Sequence, residues 1–408
     1  MNKYFSSLWS ISFLIIVLMS CNESQPEKAV EYAKGSYGYD AAFLKEHLDN
    51  TIELWNEAGA RVLLTADYQG RVMTSTASGD SGNSAGWINY DLVASGKFKD
   101  QFNPVGGEER LWIGPEGGQY SFYFKKGDSF HIKNWQVPPI IDTVAYQVTH
   151  SDSTSVEFSQ KAVVTNYSGA QFNIFINRNV RLLDEAALNS RLQTNVPGDV
   201  QWVAYETENI IKNMGENAWK KESGLLSIWL LGMFTPSEET VAIVPFRNRK
   251  DVKNFITDNY FGQIPFDRLT MKDSVLLLKC DGKHRSKLGL SPMIAKPLAG
   301  SFDFKRNMLT VIFFDIDPDG DYVNSKWELQ KQPYKGDVVN AYNDGPLEDG
   351  SQLGPFYELE SSSAAKPLQP GETQIYRQAT CHFEGDYTVL KALAQQLLGI
   401  DLDSAKMR

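Results

Sequence analysis

From Arg61 onward the sequence alternates, turns and alternates again. RVLLTAD (61–67), GRVMTSTA (70–77), QYSFYF (119–124), TVAYQVT (143–149), SVEFSQKAVVTN (155–166) and QFNIFINRNVRLL (171–183) are divided by Gly, Asn, Asp and Ser. A period of two sends successive side chains to opposite faces, so these stretches specify strands. Further candidates fall at 201–212, 225–234, 241–246, 273–280, 309–316, 355–360 and 373–384. Helical spacing occurs near the two ends. YDAAFLKEHLDNTIELWNEAGA (39–60) sets Leu44, Leu48, Ile52 and Trp55 on one face, with Asp40 to cap it and Gly59 to stop it. Residues 387–398 repeat the pattern with Val389, Leu390, Leu393 and Leu397, and end at Gly399. No strand–helix alternation runs along the chain, which excludes a doubly wound sheet or an α/β barrel. No fixed repeat is present, which excludes a propeller or solenoid. The remaining reading is an all-β chain: one large antiparallel sandwich, an N-terminal helix and a short C-terminal helix.

The first twenty residues read as a processing signal rather than as part of that fold. Lys3 supplies a positive start, and Ile11 to Met19 is apolar except for Ser12. LMSC then ends at Cys21 and resembles a bacterial lipobox, which implies cleavage before Cys21 and a lipid on its thiol. An uncut anchor helix is the alternative. Residues 21–36 read as a polar tether, and residues 37–408 as the folded domain. Asn22 stands where Asp would favour inner-membrane retention, so the expected location is the cell envelope, anchored to the outer membrane in either leaflet.

The chain of 408 residues is 42% hydrophobic and carries a net charge of −10. The first figure is enough for a large core. The second, with no basic run, excludes a nucleic-acid partner. Cys280 and Cys381 lie in apolar, strand-like runs, where they either pair in an oxidising compartment or stay as buried thiols. No CxxC or HExxH spacing occurs, so neither a metal nor a cofactor is expected.

Several stretches hold side chains suited to chemistry. In NPVGGEERLWIGPEGGQYSFYF (103–124), glycines and prolines force turns around Arg110, Trp112 and Glu116. Arg110 offers a planar fork of donors, Trp112 a face for a sugar ring, and Glu116 an acceptor for hydroxyls. The plainer reading is a Gly-rich hairpin with a core Trp. KCDGKHRSKLGLSPMIAKPLAGSFD (279–303) is the densest basic stretch, and Lys287 and Lys296 are its candidates for an anionic group. Its plainer reading is a solvated hairpin. In DIDPDGDYVNSKWE (315–328) the acids are spaced as in a calcium loop. Lys326 stands where an EF-hand needs Glu, so a turn is expected instead. GDVVNAYNDGP (336–346) reads as a polar loop. In YELESSS (357–363), alternation puts Glu358 and Glu360 on one face of a strand.

YELESSSAAKPLQPGETQIYRQATCHF, a late Glu followed by PGE and a strand, resembles the C-terminal signature of the galactose-mutarotase-like superfamily. GGEERLWIGPEGGQYSFYF, DGKHRSKLGLSP, YVNSKWELQ, GDVVNAYNDGP and FYELESSS resemble a family of bacterial envelope lipoproteins within it. The resemblance implies a β-supersandwich with an open sugar cleft. It also implies Glu360 as the general base of a ring-opening epimerase. The superfamily's Asn-His signature is absent, which leaves His150, or else His131, as the proton donor. Arg110, Trp112 and Glu116 would clamp the ring, with Glu358 beside the base and Lys287 or Lys296 on a charged substituent. The expectation is a lipid-anchored protein that recognises carbohydrate, either as a mutarotase-like isomerase or as a non-catalytic glycan-binding or assembly component. A polysaccharide lyase or hydrolase ranks lower. Carboxyls two residues apart on one strand cannot easily flank a glycosidic bond.

Overall fold

The computed structural model describes Met1, residues 31–347 and residues 349–407. Cys21, the rest of the expected signal segment and the tether through residue 30 lie outside the described residues. In chain order the elements are α1 (Tyr37–His47), β1 (Thr51–Trp55), β2 (Arg61–Thr65), β3 (Arg71–Thr76), α2 (Tyr90–Ser95), β4 (Arg110–Gly114), β5 (Gln147–Ser151), β6 (Ser155–Thr165), β7 (Gln171–Leu182), α3 (Glu185–Leu192) and β8 (Gln201–Asn213). They continue with β9 (Ser227–Phe234), β10 (Thr240–Pro245), β11 (Ile256–Thr257), β12 (Leu269–Lys272), β13 (Val275–Lys279), β14 (Ser286–Leu290), β15 (Leu298–Asp303) and β16 (Met308–Phe314). The last are β17 (Val339–Asn343), β18 (Tyr357–Ser362), β19 (Thr373–Glu384), α4 (Tyr387–Leu398) and α5 (Leu402–Ala405).

A ten-stranded antiparallel sheet has the order β12-β13-β10-β15-β16-β19-β8-β7-β6-β5. A six-stranded antiparallel sheet has the order β11-β14-β17-β18-β9-β4. A small meander, β1-β2-β3, completes the β structure. The two large sheets pack face to face as a supersandwich. The Tyr357 hydroxyl on β18 meets Ser301 Oγ on β15 at 2.8 Å, and Ser361 Oγ donates to Gln378 Oε1 on β19 at 2.7 Å. Phe158, Ile176, Tyr205, Ile312, Leu359 and Tyr376 belong to the core between the sheets. The helices α3, α4 and α5 cover the other face of the ten-stranded sheet with Leu188, Leu192, Leu390, Leu393, Leu398 and Leu402. Asp386 caps α4 at Thr388 N, and Gly399 ends it at φ 73°, where a side chain would be strained.

The expected helix over 39–60 stops at His47. Leu48 is already extended, Asn50 Nδ2 donates to Asp67 at 2.7 Å, and Thr51–Trp55 pairs with Arg61–Thr65. The β-branched Thr51 and Ile52 favour that hairpin over another helical turn. The expected strand at 119–124 is an aromatic loop instead. Phe122, Tyr123 and Phe124 are consecutive and all buried, which no half-buried strand allows. Conversely β4, β14 and β17 fall where turns, a solvated hairpin and a polar loop were expected. β14 and β17 are interior strands of the six-stranded sheet and β4 is an edge strand, but all three are buried on both faces, so they show no alternation to read.

Cys280 and Cys381 are unpaired and fully buried in different packing clusters. Burial pushes both thiols up to about 12. In the native chain neither residue reacts with a thiol reagent, and both react after unfolding. Peptide mapping by mass spectrometry checks this, and rapid native labelling at either position contradicts it.

Candidate functional site

The register of the six-stranded sheet decides which side chains meet. Asn340 pairs with Glu360, Tyr342 with Lys287 and Glu358, Leu231 with Glu360 and Arg110, and Trp229 with Trp112. With a period of two, these side chains share one face, the face turned away from the ten-stranded sheet. Tyr357, Leu359 and Ser361 take the opposite face, into the core.

Loops roof part of the shared face and leave a recess of about 410 Å³. Trp229, Lys287 and Asn340 come up from the sheet. Glu116, Trp327 and Lys326 come from two loops that are fastened together. The Glu116 amide donates to Ser325 Oγ at 3.2 Å, Gln119 Nε2 to Gln330 O at 2.9 Å, and Gln330 N to Gln119 Oε1 at 3.0 Å. A Cβ at Gly117 would meet Lys326 O at 2.4 Å, so only glycine permits this approach. Asn259, Tyr260, Phe261, Arg285 and Asp337 close the other side.

Lys287 sits at the base of the recess. Its ammonium lies 2.8 Å from Glu360 Oε2 and 4.9 Å from the centre of the Trp229 ring. The Trp229 indole also donates to Glu360 Oε2, at 3.0 Å. Glu360 itself is 0% exposed and does not line the recess. Its carboxylate is taken up by Lys287 and the Trp229 indole, both of which line the recess. Glu116 lines the wall, and burial pushes its carboxyl above the ordinary glutamate range against the pull of the Lys287 charge. Asp337 accepts from the Tyr260 hydroxyl at 2.7 Å, and burial raises its carboxyl too.

Of the residues expected from sequence, Glu116 and Lys287 line the recess. Arg110 and Glu358 lie beneath it as a buried ion pair at 2.9 Å, with the guanidinium 4.7 Å from the Trp112 ring centre. Burial raises the Glu358 carboxyl, and Arg110 partly opposes that. Trp112 is buried against Trp229, Tyr123 and Trp135, so it backs the Trp229 ring and offers no face of its own. Lys296 lies in the connection before β15, outside the recess. His150 is on β5, an edge strand of the other sheet. Its ring is 59% exposed and 3.2 Å from Asp152, which excludes it from this recess. His131 lies on an exposed loop, where it caps a short 3-10 turn.

Sequence reading missed Trp229, Tyr260, Lys326, Trp327, Asp337 and Asn340 as site residues. The Asn-rich composition of GDVVNAYNDGP was the available signal for Asn340. Nothing local marks the others, which converge only when β9, β11 and the loop after β16 meet. Among the described residues, no group of three or more His, Cys, Asp or Glu side chains could hold a metal ion.

A model of a protein family described as a family of unknown function, DUF6786, matches residues 35–408. No match is found among curated proteins. The solved structure of the Slr1438 protein from Synechocystis sp. PCC 6803 is 13% identical, with a TM-score of 0.51, and covers 83% of this chain and 98% of its own. At that identity the likeness shows a shared fold alone. A galactose mutarotase-like protein from Lactobacillus casei is 12% identical with a TM-score of 0.45, over 82% of this chain and 99% of its own. A galactose mutarotase related enzyme from Lactobacillus acidophilus is 10% identical with a TM-score of 0.43, over 82% and 97%. Those two scores are too low to carry an argument about activity.

Proposed function

The chain belongs to that family, and we propose that it binds a saccharide in the recess between Trp229, Trp327 and Lys287. One observation carries this reading: indole and phenol rings share a single hollow with hydroxyl-reading groups. Trp229, Trp327 and Tyr260 supply apolar faces, while Glu116, Asp337 and Asn340 supply acceptors and an amide. The processing signal adds the second part of the proposal, a lipid on Cys21 that holds the domain at the cell envelope, at the outer membrane.

A second reading, ring opening of an aldose, is favoured by the presence of two titratable carboxyls in the recess. Glu116, held toward its protonated form, gives a proton to the ring oxygen. Asp337 takes the proton of the anomeric hydroxyl. The C1–O5 bond breaks and leaves an open-chain aldehyde. Rotation about C1–C2 and reversal of both proton transfers closes the other anomer. In this reading Glu116 and Asp337, which line the recess, take the role expected of Glu360.

A thermal-shift screen of the full chain against mono- and oligosaccharides tests the binding reading. A ligand raises the midpoint by mass action, and the absence of any shift across the panel removes the reading. Anomer exchange is then followed by NMR. Glu116→Gln lowers the exchange rate by about 100-fold or more, the usual scale of a general acid, and keeps the thermal shift. An unchanged rate leaves a binding protein without catalysis.

A further inference from the structure

The wall of the recess holds more positive charge than its own carboxylates use. Lys287 is neutralised by Glu360. Arg285 and Lys326 line the same recess, and among the described residues neither has a carboxylate at ion-pair distance. The Arg285 guanidinium lies 3.8 Å from the centre of the Phe261 ring, and its Nε donates to the Tyr342 hydroxyl at 3.3 Å. Its terminal nitrogens donate to no described residue. The Lys326 ammonium is 5.9 Å from the centre of the Tyr260 ring. These two cations therefore stand on aromatic supports, and the acids that feel their charges, Asp344 and Glu116 for Arg285 and Asp337 for Lys326, lie beyond ion-pair distance.

The other charged groups on this wall are Glu116, Asp337 and Glu328. Glu328 is exposed at the rim. Burial raises both the Glu116 and the Asp337 carboxyls, and the Lys287 charge opposes it at each. The chain as a whole has a net charge of −10. An overall acidic protein that keeps two cations without an ion-pair partner in one hollow is complementary to a small anion held there.

We propose that the ligand is an anionic sugar, a saccharide bearing a carboxylate, sulfate or phosphate. Arg285 and Lys326 seat the charged group, while Trp229, Trp327 and Asn340 hold the ring. The guanidinium fork suits a two-oxygen face, and Lys326 adds a mobile point charge. This inference rests on the reading that the recess binds carbohydrate. It adds which class of carbohydrate the recess prefers.

Calorimetric titration of the full chain tests it with glucuronate, galacturonate, glucose 6-phosphate and glucose 6-sulfate, each set against glucose or galactose. At least one anionic sugar binds roughly tenfold or more tightly than its neutral parent, and added salt shrinks that advantage. Arg285→Met and Lys326→Met each reduce the advantage, weakening the anionic sugar by more than they weaken its neutral parent. Both side chains are partly exposed, and an unchanged unfolding midpoint confirms that each variant folds. Equal affinity for neutral and anionic sugars overturns the inference and leaves the carbohydrate reading standing. Binding of inorganic phosphate or sulfate as tight as that of the sugar conjugates also overturns it, by showing an anion site indifferent to the ring. Failure of every saccharide to bind overturns both readings together.

Discussion

Arg178→Met lowers the stability of the fold by about 3–5 kcal/mol, the usual cost of stranding a buried charge. Arg178 on β7 and Glu109, one residue before β4, are both 0% exposed and form an ion pair at 3.0 Å between the two large sheets. Arg178 also donates to Gly70 O at 2.9 Å and to Asn209 Oδ1 at 2.6 Å. Glu109 accepts in turn from Thr207 and Gln378, each at 2.8 Å. Methionine fills similar space but leaves a buried carboxylate without its cation and two acceptors without donors. Urea unfolding measures the loss as a lower midpoint with an unchanged slope. Adding Glu109→Gln to Arg178→Met restores part of the loss, because the stranded charge goes with it. A single variant within about 0.5 kcal/mol of the parent contradicts this account.

Lys287→Met costs about 3 kcal/mol or more for the same reason, and it also abolishes ligand binding. Glu360 has one cationic partner, Lys287, and its second oxygen is buried and accepts no hydrogen bond from a described residue. Removing the ammonium leaves a buried carboxylate with only the Trp229 indole on Oε2. Glu360→Gln is milder, since a neutral amide needs no counter-ion and Lys287 can turn toward the recess. In a double-mutant cycle the pair is less damaged than the sum of the single variants, by about 1–3 kcal/mol. The same cycle read by saccharide titration separates support from contact. Glu360→Gln retains measurable binding, whereas Lys287→Met does not. Loss of binding in Glu360→Gln at full stability would place that carboxylate on the ligand after all.

The two ends of the fold were legible in different degrees. The strand 373–384 was readable to the residue, because its first half, Thr373 to Arg377, alternates and turn residues stand on both sides of β19. The end of α4 at Gly399 was equally plain. The N-terminal helix was read too long, since Leu44, Leu48 and Ile52 satisfy a helical period while Ile52 belongs to a hairpin. In the six-stranded sheet β4, β14 and β17 were missed because burial on both faces erases the alternation that betrays a strand. These are the strands that carry Arg110, Lys287 and Asn340, so the blind spot fell on the site.

By itself the sequence determined the class of the fold. Alternation and turn residues are local, and each stretch needs only its own residues to say strand or turn. It also placed Glu358 and Glu360 on one face of β18, and it picked out Glu116 and Lys287. Only the tertiary structure decided what those residues do. Depth is a property of neighbours: Lys287 and Trp229, from other strands, take up the Glu360 carboxylate, while Glu116 is held at the open wall by a loop from the far side of the chain. His150 was a plausible donor until the strand order put it on the edge of the other sheet. Which acid touches a ligand depends on contacts between residues more than a hundred positions apart, such as Glu116 with Ser325 and Trp229 with Glu360, and no local pattern encodes them.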